Sequence, residues 1–123
     1  MKRNLDLMRK LLLYFEEKPD DRAERCPPIE EYSPLEIKYH LLLMDEAGLL
    51  RCEREVTSTG RTIYVIPMSL TWQGHEFLEA ARNNDIWRRA KTIVYEKSGA
   101  LSFEMLKSVL LYLSKESIRA FTS

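Results

Sequence analysis

Residues 33–50 read SPLEIKYHLLLMDEAGLL, and this stretch decides the fold. Ser33 precedes Pro34, and Glu36 follows Ser33 by three positions. This pattern is a capping box, in which the serine hydroxyl and the glutamate carboxylate each accept a hydrogen bond from the other residue's backbone N–H, with proline at the first helical position. Gly48 stands where a left-handed residue ends a helix. The stretch therefore predicts a helix with a sharp start and a sharp stop.

A β-hairpin and a second capped helix are predicted to follow. Residues 49–57 and 61–70 read as strands, and Ser58-Thr59-Gly60 supplies the turn between them. Residues 70–78 read LTWQGHEFL, which predicts a helix capped by its threonine, with a glycine in the first turn that permits close packing. The order of helix, glycine stop, hairpin and capped helix is the signature of a winged helix, a scaffold that usually binds DNA.

Three further helices complete the predicted architecture. The first covers residues 4–18, where apolar residues recur at helical spacing. The others cover residues 86–97 and the stretch that begins at Ser102. Between the first helix and the capping box, residues 19–32 contain three prolines and many charges. This composition predicts a loop, with a short strand over residues 29–32 as an option, where a typical helix-turn-helix has a further helix.

The predicted fold is therefore α+β. It consists of a winged-helix-like core over residues 1–83, with a wing of two or three strands, and two additional C-terminal helices over residues 84–123. A chain of 123 residues is long enough for one hydrophobic core. We expect the C-terminal helices to pack on the core or on a dimer partner, within one compact domain overall.

Three segments also resemble a known protein family. The pattern HL-x-x-M-x-x-AGL over residues 40–49 resembles the recognition-helix end of winged-helix regulators, and LT-x-x-G-x-x-FL over residues 70–78 resembles the helix after their wing. With the opening MKRNLDLMRK, residues 1–10, they resemble a family of uncharacterised bacterial and phage proteins, domain of unknown function 2513. The resemblance extends to about Lys91 and is most specific at residues 70–78 followed by Asp85-Ile86-Trp87. It implies a fold and a bacterial or phage origin, but no activity.

The overall composition lowers the expectation of DNA binding. The chain carries 19 basic and 19 acidic residues, so its net charge is zero, whereas proteins that hold DNA by phosphate attraction are usually basic. A local basic patch would still suffice. The chain has neither an apolar run long enough to span a membrane nor a signal-peptide core, so we expect a cytoplasmic protein without membrane contact. Cys26 and Cys52 fit that compartment as free thiols.

Duplex DNA is one candidate partner. On a helical wheel, the face of the capped helix opposite its core side offers one lysine and one tyrosine to base edges. The predicted wing adds three arginines that could face a phosphate backbone, although a solvated hairpin with glutamates as cross-strand partners is the alternative. The predicted nucleic-acid contacts are Lys38, Tyr39, Arg51, Arg54 and Arg61.

The same helix face also favours a protein partner. Three of its residues are leucines, and Asp45 and Glu46 near its end would repel phosphates. An exposed apolar face of this kind usually marks a contact with protein. The last helix is rich in leucine, and by analogy with winged-helix proteins that pair through terminal helices we expect a homodimer contact there. The predicted interface residues are Leu35, Leu42, Leu43, Val109, Leu110 and Leu113.

No catalytic pattern is visible in the sequence. His75 and Glu76 are adjacent, so on a helix they point about 100° apart and form no dyad. His40 falls at the edge of the predicted core, where a histidine with satisfied hydrogen bonds is the commoner outcome. We expect no enzyme activity, no cofactor and no metal. The sequence predicts a small bacterial or phage winged-helix protein that acts by binding, as a DNA-binding or regulatory protein or, alternatively, as a protein-interaction module without base readout.

Overall fold

The structure is a computed structural model that describes residues 1–24, 26–100 and 102–122. Within these ranges the chain forms five helices and one antiparallel hairpin, which confirms the predicted α+β class. Two compact units make up the chain, Met1–Glu76 and Phe77–Ser123. The elements in chain order are α1 (Leu5–Glu17), α2 (Pro34–Glu46), β1 (Leu50–Val56), β2 (Thr62–Leu70), α3 (Trp72–Ala81), α4 (Asn84–Ser98) and α5 (Phe103–Thr122).

Both ends of α2 form as the sequence predicts. Ser33 Oγ accepts a hydrogen bond from the Glu36 N–H, and Glu36 Oε1 accepts one from the Ser33 N–H, both at 3.1 Å. At the other end Gly48 has a φ of 75°, and the Leu49 N–H donates to the Met44 carbonyl at 2.9 Å. This left-handed cap satisfies a carbonyl of the last helical turn. The chain therefore leaves α2 abruptly and enters β1 at once.

The start of α3 is fixed to the start of β1. Thr71 Oγ1 accepts a hydrogen bond from the Gly74 N–H at 3.0 Å and donates one to the Gly48 carbonyl at 2.5 Å. The Thr71 N–H donates to the Leu49 carbonyl at 3.1 Å. A Cβ atom on Gly74 would lie 2.1 Å from that Leu49 oxygen, so only glycine fits. Two of the three segments that carry the family resemblance, residues 40–49 and 70–78, therefore meet in this contact.

The hairpin has two strands, and a third strand at residues 29–32 does not form. Glu31 has a φ of 75°, which is incompatible with the extended backbone of a strand, and residues 30–31 form a turn. Nor does an α-helix form within residues 19–24 or 26–32. The described part of this segment therefore lacks the further helix of a typical helix-turn-helix. That residues 1–83 form a winged helix stays a prediction.

The segment after α1 is anchored to the C-terminal part of β2. The Glu24 N–H donates to the Pro67 carbonyl at 3.0 Å, and Lys18 Nζ donates to the Met68 carbonyl at 3.0 Å. The Tyr14 hydroxyl donates to the Glu24 carboxylate. Burial, reinforced by this hydrogen bond, raises the pKa of Tyr14 to about 12. These contacts cover one end of the outer edge of β2.

Each unit has its own set of buried side chains. In the second unit, Phe77 of α3 stacks on Phe103 of α5 with ring centroids 4.9 Å apart, and it meets Trp87 of α4 edge-on at 6.4 Å. Aromatic pairs in these geometries add about 0.5–1.5 kcal/mol to the gain from area burial. In the first unit, α1 and α2 supply the largest fully buried side chains, which are Leu7, Leu11, Leu12, Leu41 and Met44.

Candidate functional site

A groove in the first unit lies between α2 and β2. Its volume is about 560 Å3, within the range of about 300–1,000 Å3 that is typical of ligand sites. The lining is mainly apolar, with a single charged side chain and two tyrosines. The residues that line it are Met1, Leu35, Lys38, Tyr39, Leu42, Tyr64, Val65 and Ile66.

One wall of the groove is the outer face of α2. The core face predicted on the helical wheel is confirmed, because Ile37, His40, Leu41 and Met44 are buried. The opposite face carries Leu35, which is 65% exposed, and Leu42 and Tyr39, which are half-buried. Leu43, predicted with them as an interface residue, is half-buried but does not line the groove. The face that a DNA-reading helix would present to the major groove is therefore an apolar wall.

The other wall is the strand β2. Three consecutive residues, Tyr64, Val65 and Ile66, line the groove. Successive side chains of a strand point to opposite faces, so a groove that meets three consecutive residues runs along the edge of the strand. Within the described residues, no backbone hydrogen bond from outside the hairpin reaches these three, whereas Pro67 and Met68 accept the bonds from the segment after α1. The groove thus follows an open part of the sheet edge.

Lys38 is the only charged side chain among the lining residues. The positions three and four residues away from it on α2 hold Pro34, Leu35, Leu41 and Leu42, so no carboxylate lies at helical spacing. Lys38 is exposed and forms no ion pair with any residue that the structure describes. Its amine is available to an anionic group that enters the groove.

His40 belongs to the core and holds its neighbour in place. Its Nε2 accepts a hydrogen bond from the Asn4 N–H at 2.7 Å, and its Nδ1 donates to the Glu36 carbonyl at 2.8 Å. An N–H can only donate and a carbonyl can only accept, so the ring is neutral with its proton on Nδ1. The Tyr39 ring meets this imidazole edge-on, with centroids 5.7 Å apart. The predicted core histidine with satisfied hydrogen bonds is confirmed.

The hairpin arginines fall into two groups. Arg54 Nε lies 2.8 Å from Asp45 Oδ2, and the Asp45 side chain is only 8% exposed. This hydrogen bond raises the pKa of Arg54, and it fixes β1 to the end of α2. Arg51 is exposed and donates from Nη1 to Ser69 Oγ at 3.2 Å, and Arg61 is exposed beside the turn. Of the three arginines, Arg54 is therefore held by an ion pair, whereas Arg51, which is hydrogen-bonded to Ser69, and Arg61 are exposed.

The predicted interface residues of α5 are largely inside the chain. Leu110 and Leu113 are buried and Val109 is half-buried. The chain itself covers Leu110 and Leu113, so these two side chains cannot reach a second molecule while the unit stays folded. Among the α5 side chains that the structure describes, the large apolar ones that are exposed are Met105, Leu111, Tyr112 and Ile118.

The two cysteines and the histidine, aspartate and glutamate side chains, which could bind a metal ion, do not line the groove. No group of three or more His, Cys, Asp or Glu side chains within residues 1–24, 26–100 and 102–122 is placed to hold a metal ion. Cys26 is an exposed free thiol, and Cys52 is half-buried. Burial, together with the negative charge of Asp45, raises the pKa of Cys52 to about 12. Within those same ranges, no helix combines the length and apolar character that crossing a bilayer requires.

Sequence reasoning found the α2 wall of the groove but missed the β2 wall. The leucine-rich outer face of α2 signalled a contact surface, and Lys38, Tyr39, Leu35 and Leu42 do line one groove. Nothing in the sequence of β2 marks Tyr64 as part of the same site, because the open edge depends on where the segment after α1 runs. The structure brings four of the predicted residues together and leaves the hairpin arginines outside the lining.

Comparison with known proteins supports the family resemblance. A family model described as "Hypothetical protein (DUF2513)" matches residues 2–100, a range that includes the groove and ends before α5. A protein of Haemophilus influenzae, described as an uncharacterized protein, is 36% identical over 110 residues, which cover 89% of this chain and 92% of that protein. No solved structure matches the chain.

Proposed function

The chain belongs to the DUF2513 family, and we propose that it acts by binding, with the groove between α2 and β2 as the site that holds a segment of a protein partner. The observation that carries this proposal is the lining of the groove. Most side chains that read bases in the major groove do so by donating or accepting hydrogen bonds, and Leu35 and Leu42 can do neither. Apolar and aromatic walls with one or two polar groups are typical of sites that bind peptides and small molecules.

The rest of the chain supports a binding role over catalysis. Both ring nitrogens of His40 are occupied by backbone partners, and the exposed His75 has no acid or base side chain within hydrogen-bond reach among the residues that the structure describes. We propose that the protein is not an enzyme and that it works in the cytoplasm, which the unpaired thiols of Cys26 and Cys52 support.

Selection of peptide ligands tests the groove directly. A displayed library of random peptides is selected on the wild-type chain, and affinities of the selected peptides are measured by fluorescence polarisation. Leu42→Glu places a charge in the groove, and Tyr95→Glu introduces a charge at an exposed position of α4. We expect Leu42→Glu to weaken binding by at least about tenfold and Tyr95→Glu by less than about twofold. Failure to select any peptide, or equal binding to both variants, would show that the groove is not the site.

Duplex DNA is a second candidate partner, supported by the exposed Arg51 and Arg61 at the two ends of the hairpin. Their side chains point to solvent rather than into an ion pair with a described carboxylate. Such residues could contact phosphates without any base reading by α2.

We also propose that the chain forms a homodimer. The exposed apolar side chains of α5 support this contact.

A further inference from the structure

Building on the proposed function, we infer that the partner segment binds as an extended strand, which adds to the edge of β2 at Tyr64–Ile66 and places a carboxylate on Lys38. The occupant is thus a peptide of stated chemistry, with apolar side chains toward α2 and an acidic residue opposite the lysine. Three observations support this form of binding: the backbone pattern of β2, the apolar wall of α2, and the charge of the lining.

The backbone of β2 offers unused hydrogen-bonding groups to an added strand. Tyr64 lies opposite Glu55, Val65 opposite Arg54, and Ile66 opposite Glu53. In an antiparallel pair, hydrogen-bonded and non-hydrogen-bonded residue pairs alternate. At least one of the three consecutive β2 residues therefore directs its N–H and C=O away from β1, toward the groove. A strand placed there would satisfy these groups, as in β-strand addition to sheet edges.

The part of the edge that is open has a defined length. The segment after α1 contacts β2 at Pro67 and Met68, so an added strand can extend from the turn end of β2 as far as Ile66. This stretch, residues 62–66, is five residues long, which is close to the usual length of strands. Alternate side chains of such a strand face the wall formed by Leu35, Tyr39 and Leu42.

An extended segment fits the groove better than a helix does. A bound helix could cover the leucines of α2, but its own backbone groups are already paired, and it would leave the outward N–H and C=O groups of β2 buried without partners. An added strand covers both walls at once. The single charged side chain of the lining then selects a segment that carries a carboxylate opposite Lys38, because an uncompensated ammonium at an apolar contact is unfavourable.

Backbone N-methylation tests strand addition without altering the protein. The probes are peptides of about six residues selected from a library that alternates Val or Ile with varied positions and includes one Glu. A second library of helix-forming peptides of about 14 residues competes in the same selection. We expect the extended library to supply the binders. N-methylation of alternate amides, those that face β2, should weaken binding by at least about tenfold, and N-methylation of the intervening amides by less than about twofold.

Charge exchange tests the role of Lys38. Lys38→Glu should weaken binding of the Glu-containing peptide by at least about fivefold, and replacing the peptide Glu with Lys should restore much of the affinity for that variant. Lys107→Glu, at an exposed position of α5, is the matched control and should change little. Equal binding to wild type and Lys38→Glu would overturn the carboxylate assignment.

The outcomes separate this inference from the proposed function. Two outcomes would overturn strand addition and leave the groove as the binding site. In the first, peptides lose binding to Leu42→Glu but tolerate N-methylation at every position. In the second, the selection clearly prefers the helical library. Self-association of the wild type that Leu42→Glu abolishes would identify a second copy of the chain as the occupant, and would overturn the inference. Absence of any binder would overturn both proposals.

Discussion

The backbone N–H of Asn4 donates to Nε2 of His40 over 2.7 Å, and this bond joins the start of α1 to the core face of α2. The Asn4 side chain caps α1 by accepting hydrogen bonds from the N–H groups of Asp6 and Leu7. One asparagine therefore caps the first helix and anchors it to the second. The same histidine holds the ring of Tyr39 at the groove, so the core contact also positions a wall of the proposed binding site.

Replacement of His40 by alanine should destabilise the first unit by about 2–3 kcal/mol, because it leaves the Asn4 N–H without its acceptor and opens a cavity. His75→Ala is the matched control, since His75 is exposed, and its effect should stay within about 0.5 kcal/mol. Urea unfolding followed by tryptophan fluorescence or circular dichroism measures both. Equal stabilities of the two variants would contradict the structural role of His40.

Replacement of Gly74 by alanine should cost at least about 2 kcal/mol, because the added Cβ would lie 2.1 Å from the Leu49 carbonyl oxygen and the start of α3 would have to move. Glu76→Ala, at an exposed position of the same helix, should change stability by less than about 0.5 kcal/mol. Thermal unfolding of both variants is the measurement. A Gly74→Ala protein as stable as the wild type would mean that α3 does not approach β1 so closely.

The two thiols should differ strongly in their reactivity toward maleimide. Cys26 is exposed, so it should be labelled first. Cys52 is half-buried and has its pKa raised to about 12, so at pH 8 only about one molecule in ten thousand carries the thiolate. In a Cys26→Ser variant, the labelling rate of Cys52 should rise about tenfold per pH unit between pH 7 and pH 10, because the thiolate fraction grows in proportion. A rate that levels off near pH 9 would argue against the raised pKa.

If the hairpin binds DNA, Arg51→Ala and Arg61→Ala should each reduce the slope of log affinity against log salt concentration by about 1. Arg89→Ala, at an exposed position of α4, is the control. Gel retardation of mixed-sequence duplexes over a series of salt concentrations is the measurement. The absence of retardation at low salt, or an equal slope in all three variants, would eliminate the DNA candidate.

Substitutions on α5 should distinguish an interface from a core. Leu110→Asp places a charge at a fully buried position and should destabilise the chain by about 3–5 kcal/mol. Leu111→Asp alters an exposed position and should leave stability nearly unchanged. If the chain forms a dimer through this helix, sedimentation of Leu111→Asp should give the mass of one chain, whereas the wild type gives the mass of two. Identical masses for both would exclude Leu111 from an interface.

Local patterns accounted for the elements and their ends. The capping box at Ser33, the glycine stop at Gly48 and the small residue at Gly74 each depend on contacts within a few residues or on a steric requirement that a single residue type meets. The sequence therefore determined by itself where α2 begins and ends and that a hairpin follows it. It also showed that the outer face of α2 is poor in groups that read bases.

Only the tertiary structure decided what lies opposite that outer face. The groove exists because the segment after α1 reaches β2 at Pro67 and Met68 and leaves the edge at Tyr64–Ile66 open. The engagement of Arg54 by Asp45 and the burial of Leu110 are likewise results of packing between elements. Helix and strand periodicities report which side of an element is apolar, but the neighbour that covers that side depends on the path of the whole chain.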